Sequence, residues 1–303
     1  MYIKTFYEKS LNGFHQEVIK IIEAEIKIIN TSGRKRIARF IKYFKVLDHF
    51  GKESSFILQC VYFWARSVDD IIDKDRDHVF SYDLSFFIKR KKKLFEAMMN
   101  NPLASDLILY DEPDIMLFYA HRAAKDFLKI DIMPSIVAIF ETMEYDFLRS
   151  KIKAFPSKVA LDNYFIKLDV ETVKATLLIM EEGNITAEDL QGLNNAVRIY
   201  YTLRDLPDDI KNNILNISFE EASKYGISLD SFCNIKNIDE ALNDWFIGKW
   251  IFDQVCSMEK NLATTNKILR DKKMKLKTKL ALFFCFKLPC YKALAKWTFK
   301  MTW

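Results

Sequence analysis

An all-α fold is what this sequence predicts, on three observations. Only seven Gly and six Pro occur in 303 residues, too few for a turn-rich β architecture. Half of the residues are hydrophobic, and they recur at helical spacing with no strand-like alternation of any length. Long stretches rich in Leu, Ile, Lys and Glu run without a breaker. A chain this long can bury a large core. It reads as one α-helical domain over residues 1–303, closed by a basic, aromatic tail at about 267–303.

The elements follow from periodicity and punctuation. Phe14 to Ile29 is an amphipathic helix, broken at Thr31-Ser32-Gly33, and Arg34 to Phe50 is a second, more basic one. Gly51 ends it, and Ser54 or Ser55 can cap the next helix. Leu84 to Met99 carries the run Lys89-Arg90-Lys91-Lys92-Lys93, most simply a solvated face. Helices are predicted over Asp114 to Lys129, from Pro134 through Lys151, and from Val159 to Met180. Thr186-Ala187-Glu188-Asp189 resembles a capping box with Asp in the place of Glu. The helix it starts extends to about Asp209, with Pro207 expected to kink or end it. A long helix over Asp239 to Leu269 precedes the tail.

Composition excludes several function classes. Five cysteines, odd in number and without metal-ligand spacing, read as thiols of a reducing compartment. Four scattered histidines form no helical pair, so a zinc site is not indicated. The first residues show no secretory signal and no run is long enough to span a bilayer, so the expected location is cytoplasmic. The net charge of +5 conceals a tail of about +10 between Lys267 and Lys300. The remainder is therefore acidic, and nucleic-acid binding by the domain is not expected. In the tail, Lys alternates with Phe and Trp. It is either an interfacial segment that associates with anionic lipid or a last helix packing its Phe-rich face on the bundle.

Two stretches carry chemistry. Tyr62-Phe63-Trp64-Ala65-Arg66-Ser67-Val68-Asp69-Asp70-Ile71-Ile72-Asp73 ends an apolar helix in three carboxylates. Asp69 and Asp73 lie on one helical face, where like charges repel. A hard cation such as Mg²⁺ would reverse the sign of that interaction. Tyr200-Tyr201-Thr202-Leu203-Arg204-Asp205-Leu206-Pro207-Asp208-Asp209 repeats the pattern, with Asp205 and Asp209 four apart. Arg66 and Arg204 are either partners of the neighbouring Asp or clamps for phosphate oxygens. Two such helices would bind a cluster of Mg²⁺ and through it a diphosphate leaving group. The Phe-, Ile- and Leu-rich interior would take an apolar chain.

These residues resemble the squalene/phytoene synthase family. Tyr62, Arg66, Asp69, Asp70 and Asp73 match its aromatic-x-x-x-Arg-x-x-Asp-Asp-x-x-Asp stretch, and Leu203, Arg204, Asp205 and Asp209 its Leu-Arg-Asp-x-x-x-Asp. Thr142-Met143-Glu144-Tyr145-Asp146 looks like the family's Gly-Met-x-x-Asp segment, and Tyr164 stands where its next helix begins. The resemblance covers about Phe40 to Ile227. It implies a class I isoprenoid synthase-like helical bundle with a central apolar cavity. It also implies condensation of two C15 or C20 prenyl diphosphates head to head, through a cyclopropylcarbinyl diphosphate. Three Mg²⁺ would be held by Asp69, Asp70, Asp73, Asp205 and Asp209. Arg66, Arg204 and Arg198 would grip diphosphate, and Tyr62 would line the site. No Gly-x-Gly-x-x-Gly is present, and NADPH is not indicated.

The chain departs from the family at several places. Arg198 and Tyr201 replace a Gln-x-x-Asn pair, and Leu168-Asp169-Val170-Glu171-Thr172-Val173 replaces Val-Ala-Gly-x-Val-Gly. Ile214-Leu215-Asn216-Ile217-Ser218 stands for an Arg-Tyr-Leu-Pro-like flap. Two other readings therefore stand beside the first. One is a terpene cyclase ionising a single prenyl diphosphate; the other is a non-catalytic relative serving in assembly or binding.

Overall fold

The computed structural model describes residues 11–31, 35–72, 83–100 and 111–301. Every regular element among them is helical, as the low Gly and Pro content requires. The helices are α1 Leu11–Thr31, α2 Lys35–Asp48, α3 Lys52–Ile72, α4 Leu84–Asn100, α5 Glu112–Ala123, α6 Met133–Arg149, α7 Lys158–Phe165, α8 Glu171–Ile179 and α9 Gln191–Lys211. They continue as α10 Phe219–Tyr225, α11 Leu229–Cys233, α12 Ile238–Asn243, α13 Trp245–Asp271, α14 Leu276–Leu282 and α15 Leu288–Met301. Three π-helical turns, Ala124–Leu128, Ile166–Val170 and Phe283–Lys287, are spliced between neighbouring helices. The chain forms two compact units, one of residues 1–143 and 175–182, the other of 144–174 and 183–303.

In the first unit α3 packs on α2 and α5, and α1 lies against α2 and α5. The contacts are largely aromatic: Phe14 meets Phe118 edge-on at 5.8 Å, and Trp64 meets Phe95 at 6.1 Å. His15 Nδ1 lies 2.6 Å from the Tyr119 hydroxyl. Helix α5 starts at Asp111, whose carboxylate accepts from the Asp114 amide at 2.9 Å, with Pro113 in the first turn. The run Lys89–Lys93 departs from the expected solvated face. Lys89, Lys92 and Lys93 are exposed, but Arg90 and Lys91 are buried. Lys91 Nζ is 2.7 Å from one Asp111 oxygen and also pairs with Asp114, and Arg90 pairs with Asp111. Spacing along α4 could not reveal this, because both carboxylates come from α5.

In the second unit α9 packs along α13, and α15 covers both. Gly192 permits that approach. A Cβ there would stand 2.8 Å from the Asn261 carbonyl oxygen and 2.9 Å from Thr265 Oγ1. Gly192→Ala should therefore destabilise the protein by about 1–3 kcal/mol, against the gain in helix propensity, measured by urea denaturation. Thr186 and Asp189 do form a reciprocal box, each amide donating to the other's side chain at 3.0 and 3.2 Å. Pro207 does not end α9, which continues to Lys211. The expected helix over Asp239 to Leu269 is two helices. Asp244 leaves helical geometry and caps α13, accepting from the Phe246 and Ile247 amides at 3.0 Å. Ser54 and Ser55 lie inside α3, where Ser55 Oγ donates to the Phe44 carbonyl at 3.1 Å, so they are not its cap.

The tail takes the packed arrangement. Ala281, Leu282, Phe286, Cys290, Ala293 and Trp297 are buried, while Lys279, Lys292, Lys296 and Phe299 are exposed. No helix among the described residues is long and apolar enough to cross a membrane.

Candidate active site

The last two turns of α3 carry the first acidic motif. Tyr62 packs on Phe44, ring centroids 5.6 Å apart. Arg66 donates to Asp69 at 2.8 Å and pairs with Asp70. Asp70 is buried and Asp69 is 38% exposed. The helical turn explains the pairing, since three and four residues bring a side chain over its neighbour. Asp73 lies outside the described residues.

The second motif occupies the C-terminal half of α9. Arg204 grips Asp205 with two nitrogens, Nε lying 2.6 Å from Oδ1, and its guanidinium stacks 4.4 Å from the Tyr201 ring centroid. Asp209 accepts from Asn216 Nδ2 at 2.8 Å. Asn216 Oδ1 in turn accepts from Arg149 at 2.6 Å, and Arg149 also donates to Asp146 at 2.6 Å and to the Leu215 carbonyl at 3.1 Å. The Tyr164 hydroxyl closes the chain on Asp146 at 2.7 Å. Burial, and then the charges of Asp205 and Asp146, push the Asp209 carboxyl well above the usual carboxylate range. Burial likewise raises Asp146, with Arg149 pulling the other way.

Sequence reasoning pointed to Asp146 and Tyr164 but missed Arg149 and Asn216. The Asp146–Arg149 spacing of three was the available signal for Arg149. Nothing local marks Asn216, which reaches Asp209 only because the chain turns back after α9.

Arg198 lies two turns before Asp205 on the same face of α9. Its guanidinium sits 5.0 Å from the Phe165 ring centroid and near Asp169 on the π turn 166–170. Burial pushes the Asp169 carboxyl up to about 8, while Arg198 pulls it down. The folded state therefore holds a proton that the unfolded chain releases near pH 4. Stability is lost as pH rises through the window from about 4 to about 8. Asp169→Asn should flatten this loss, so that the variant melts above wild type at pH 9 and near it at pH 4.

Magnesium is the cation the resemblance implies. Among the described residues, no three His, Cys, Asp or Glu side chains are gathered to hold a metal. The chemistry of the donors nonetheless fits. Asp205 and Asp209 offer hard oxygen donors, and the repulsion that adds to burial in raising the Asp209 carboxyl is what a divalent cation would relieve. A cation binding Asp205 would displace Arg204, freeing a planar guanidinium beside it.

Among solved structures, one described as a dehydrosqualene synthase in complex with ligand matches with a TM-score of 0.62 at 14% identity. The match covers 89% of this chain and 83% of that one. This is a class I isoprenoid synthase-like helical fold. No protein-family model matches the chain, and neither does any curated protein. The likeness carries the fold, while each residue's placement rests on the contacts above.

Proposed function

We propose that this isoprenoid synthase-like chain is a Mg²⁺-dependent prenyl transferase that condenses two isoprenyl diphosphates head to head through a cyclopropylcarbinyl diphosphate. The carrying observation is the second motif: on a helical fold like that of a dehydrosqualene synthase, burial and then the charges of Asp205 and Asp146 raise the Asp209 carboxyl, while Arg204 holds Asp205. Asp69, Asp70, Asp73, Asp205 and Asp209 would hold Mg²⁺, which supplies charge stabilisation for a departing diphosphate. Arg66 and Arg204, released from their carboxylates, would grip the diphosphate oxygens in bidentate fashion. Tyr62 would line the site, and the Asn216–Arg149–Asp146 chain would orient Asp209.

The test is incubation with farnesyl or geranylgeranyl diphosphate, one at a time, with and without Mg²⁺ and a nicotinamide reductant, followed by mass analysis. A C30 or C40 product requiring Mg²⁺ is expected. A cyclic C15 or C20 hydrocarbon would make the protein a cyclase, and no Mg²⁺-dependent diphosphate release would make it a non-catalytic relative.

The tail is further proposed to dock on anionic membrane. Its exposed Lys279, Lys292, Lys296 and Phe299 support this reading. Truncation would strip buried Trp297 from the bundle, so charge reversal is the cleaner probe. Lys292→Glu with Lys296→Glu should weaken binding to phosphatidylserine vesicles in co-sedimentation by roughly thirtyfold or more, at roughly 1 kcal/mol for each lysine charge removed. Unchanged sedimentation would exclude docking through this face.

A further inference from the structure

Outside the acidic motifs, the second unit shows an apolar face that nothing among the described residues covers. Ile152 is 63% exposed, Val159 70%, Ile166 55% and Phe219 61%. Val159 and Ile166 stand seven residues apart, on one face of α7. Phe219 opens α10, which two bonds hold beside the start of α7. The Phe219 amide donates to the Pro156 carbonyl at 2.8 Å, and the Lys158 amide donates to Glu220 at 2.7 Å. Ile152 lies in the loop that joins α6 to α7. Phe155 fixes this loop by packing edge-on against Phe232, ring centroids 5.6 Å apart. The amides of Ser150, Lys151, Ile152 and Ala154 are paired inside it, donating to nearby carbonyls at 2.9–3.3 Å.

Apolar tips on a fixed loop mark a contact surface, and the charge around them selects the partner. Residues 151–167 hold four lysines and one acid, Asp162, which pairs with Lys158. Lys151 and Lys153 are exposed and form no ion pair among the described residues. Lys151 Nζ lies 3.9 Å from the Phe147 ring centroid. A second copy of this chain would set these lysines against themselves. An anionic bilayer offers headgroups to the lysines and hydrocarbon to the apolar tips. The paired amides of the loop lower the cost of entering it. We propose that the α6–α7 loop, α7 and the start of α10 form a docking surface for anionic membrane. Ile152, Val159 and Phe219 sit among the acyl chains, with Lys151 and Lys153 on the headgroups. This surface is separate from the tail. It begins one residue beyond Arg149, which holds Asn216 against Asp209. A prenyl chain dissolved in the bilayer would reach the diphosphate site from there, a consequence that rests on the proposed function.

The test is co-sedimentation of the full chain with phosphatidylserine and with phosphatidylcholine vesicles, and wild type should prefer the former. Ile152→Gln, Val159→Gln and Phe219→Gln together should weaken binding roughly tenfold or more. The melting temperature should stay unchanged, because all three side chains are exposed. Lys151→Gln with Lys153→Gln should weaken binding about thirtyfold, the loss being larger at low salt. Ile152→Trp reads the contact locally: its added fluorescence should shift to the blue on vesicles and be quenched by brominated acyl chains. Wild-type binding by the triple variant, or an unquenched Ile152→Trp signal, would overturn the surface. So would loss confined to Lys292→Glu with Lys296→Glu, which would leave docking to the tail alone. A wild-type dimer that the triple variant abolishes would overturn it too, making the face a contact between copies. The Mg²⁺-dependent product assay needs no vesicles, so failure of the transferase reading is scored separately.

Discussion

Replacing Lys91 by methionine is expected to destabilise the protein by about 3–5 kcal/mol, the cost of taking from two buried carboxylates the cation they share and leaving Asp111 with Arg90 alone. Lys91 is fully buried, with Nζ 2.7 and 2.8 Å from the two Asp111 oxygens and in contact with Asp114. Methionine fills a similar volume, so the loss is one of charge and hydrogen bonds, with little from packing. Asp111 feels it twice, because the same carboxylate caps α5. Burial alone would raise the Asp111 carboxyl, but Lys91 and Arg90 overcome it and hold it below the usual value. Its stabilisation is therefore present above the unfolded value near 4 and lost as pH falls through the folded one. Urea denaturation at pH 7 measures the effect. Adding Asp111→Asn and Asp114→Asn to Lys91→Met should restore a large part of it. A loss under about 1 kcal/mol in the single variant would mean that the cluster is solvated.

Asp205→Asn should lower Mg²⁺-dependent diphosphate release by about 10²–10³-fold, the scale for one electrostatic contact to a charge that develops in the transition state. Asparagine keeps the shape and can still accept from Arg204, so α9 should remain folded. It cannot neutralise a divalent cation. Melting curves should show the distinction: wild type gains stability on adding Mg²⁺, as any ligand of the folded state requires, and the variant gains less. Activity within threefold of wild type would remove Asp205 from the proposed chemistry.

The two predictions differ in how visible their residues were beforehand. Asp205 stands four residues before Asp209 behind an Arg, and helical geometry alone places such a pair on one face. Lys91 sits in a run of five cations, where every local signal says solvent. Its burial arises because Asp111 and Asp114, about twenty residues on, are carried to it by α5. Asn216 is a similar case, and so is Asp169, which meets Arg198 from α9. The break at Asp244 is different. Asn237 and Asp244 are ordinary capping residues, and apolar periodicity does not register them.

By itself, the sequence determined that the chain is helical, where most helices run, and which turns of α3 and α9 carry carboxylates. Each of these depends on residues within a turn or two of one another. Which charges are buried was decided by the tertiary structure. So were the groups that push the Asp209 and Asp169 carboxyls upward. The reason is physical: desolvation and Coulomb energy depend on distances through space, and those are set only when separate helices pack.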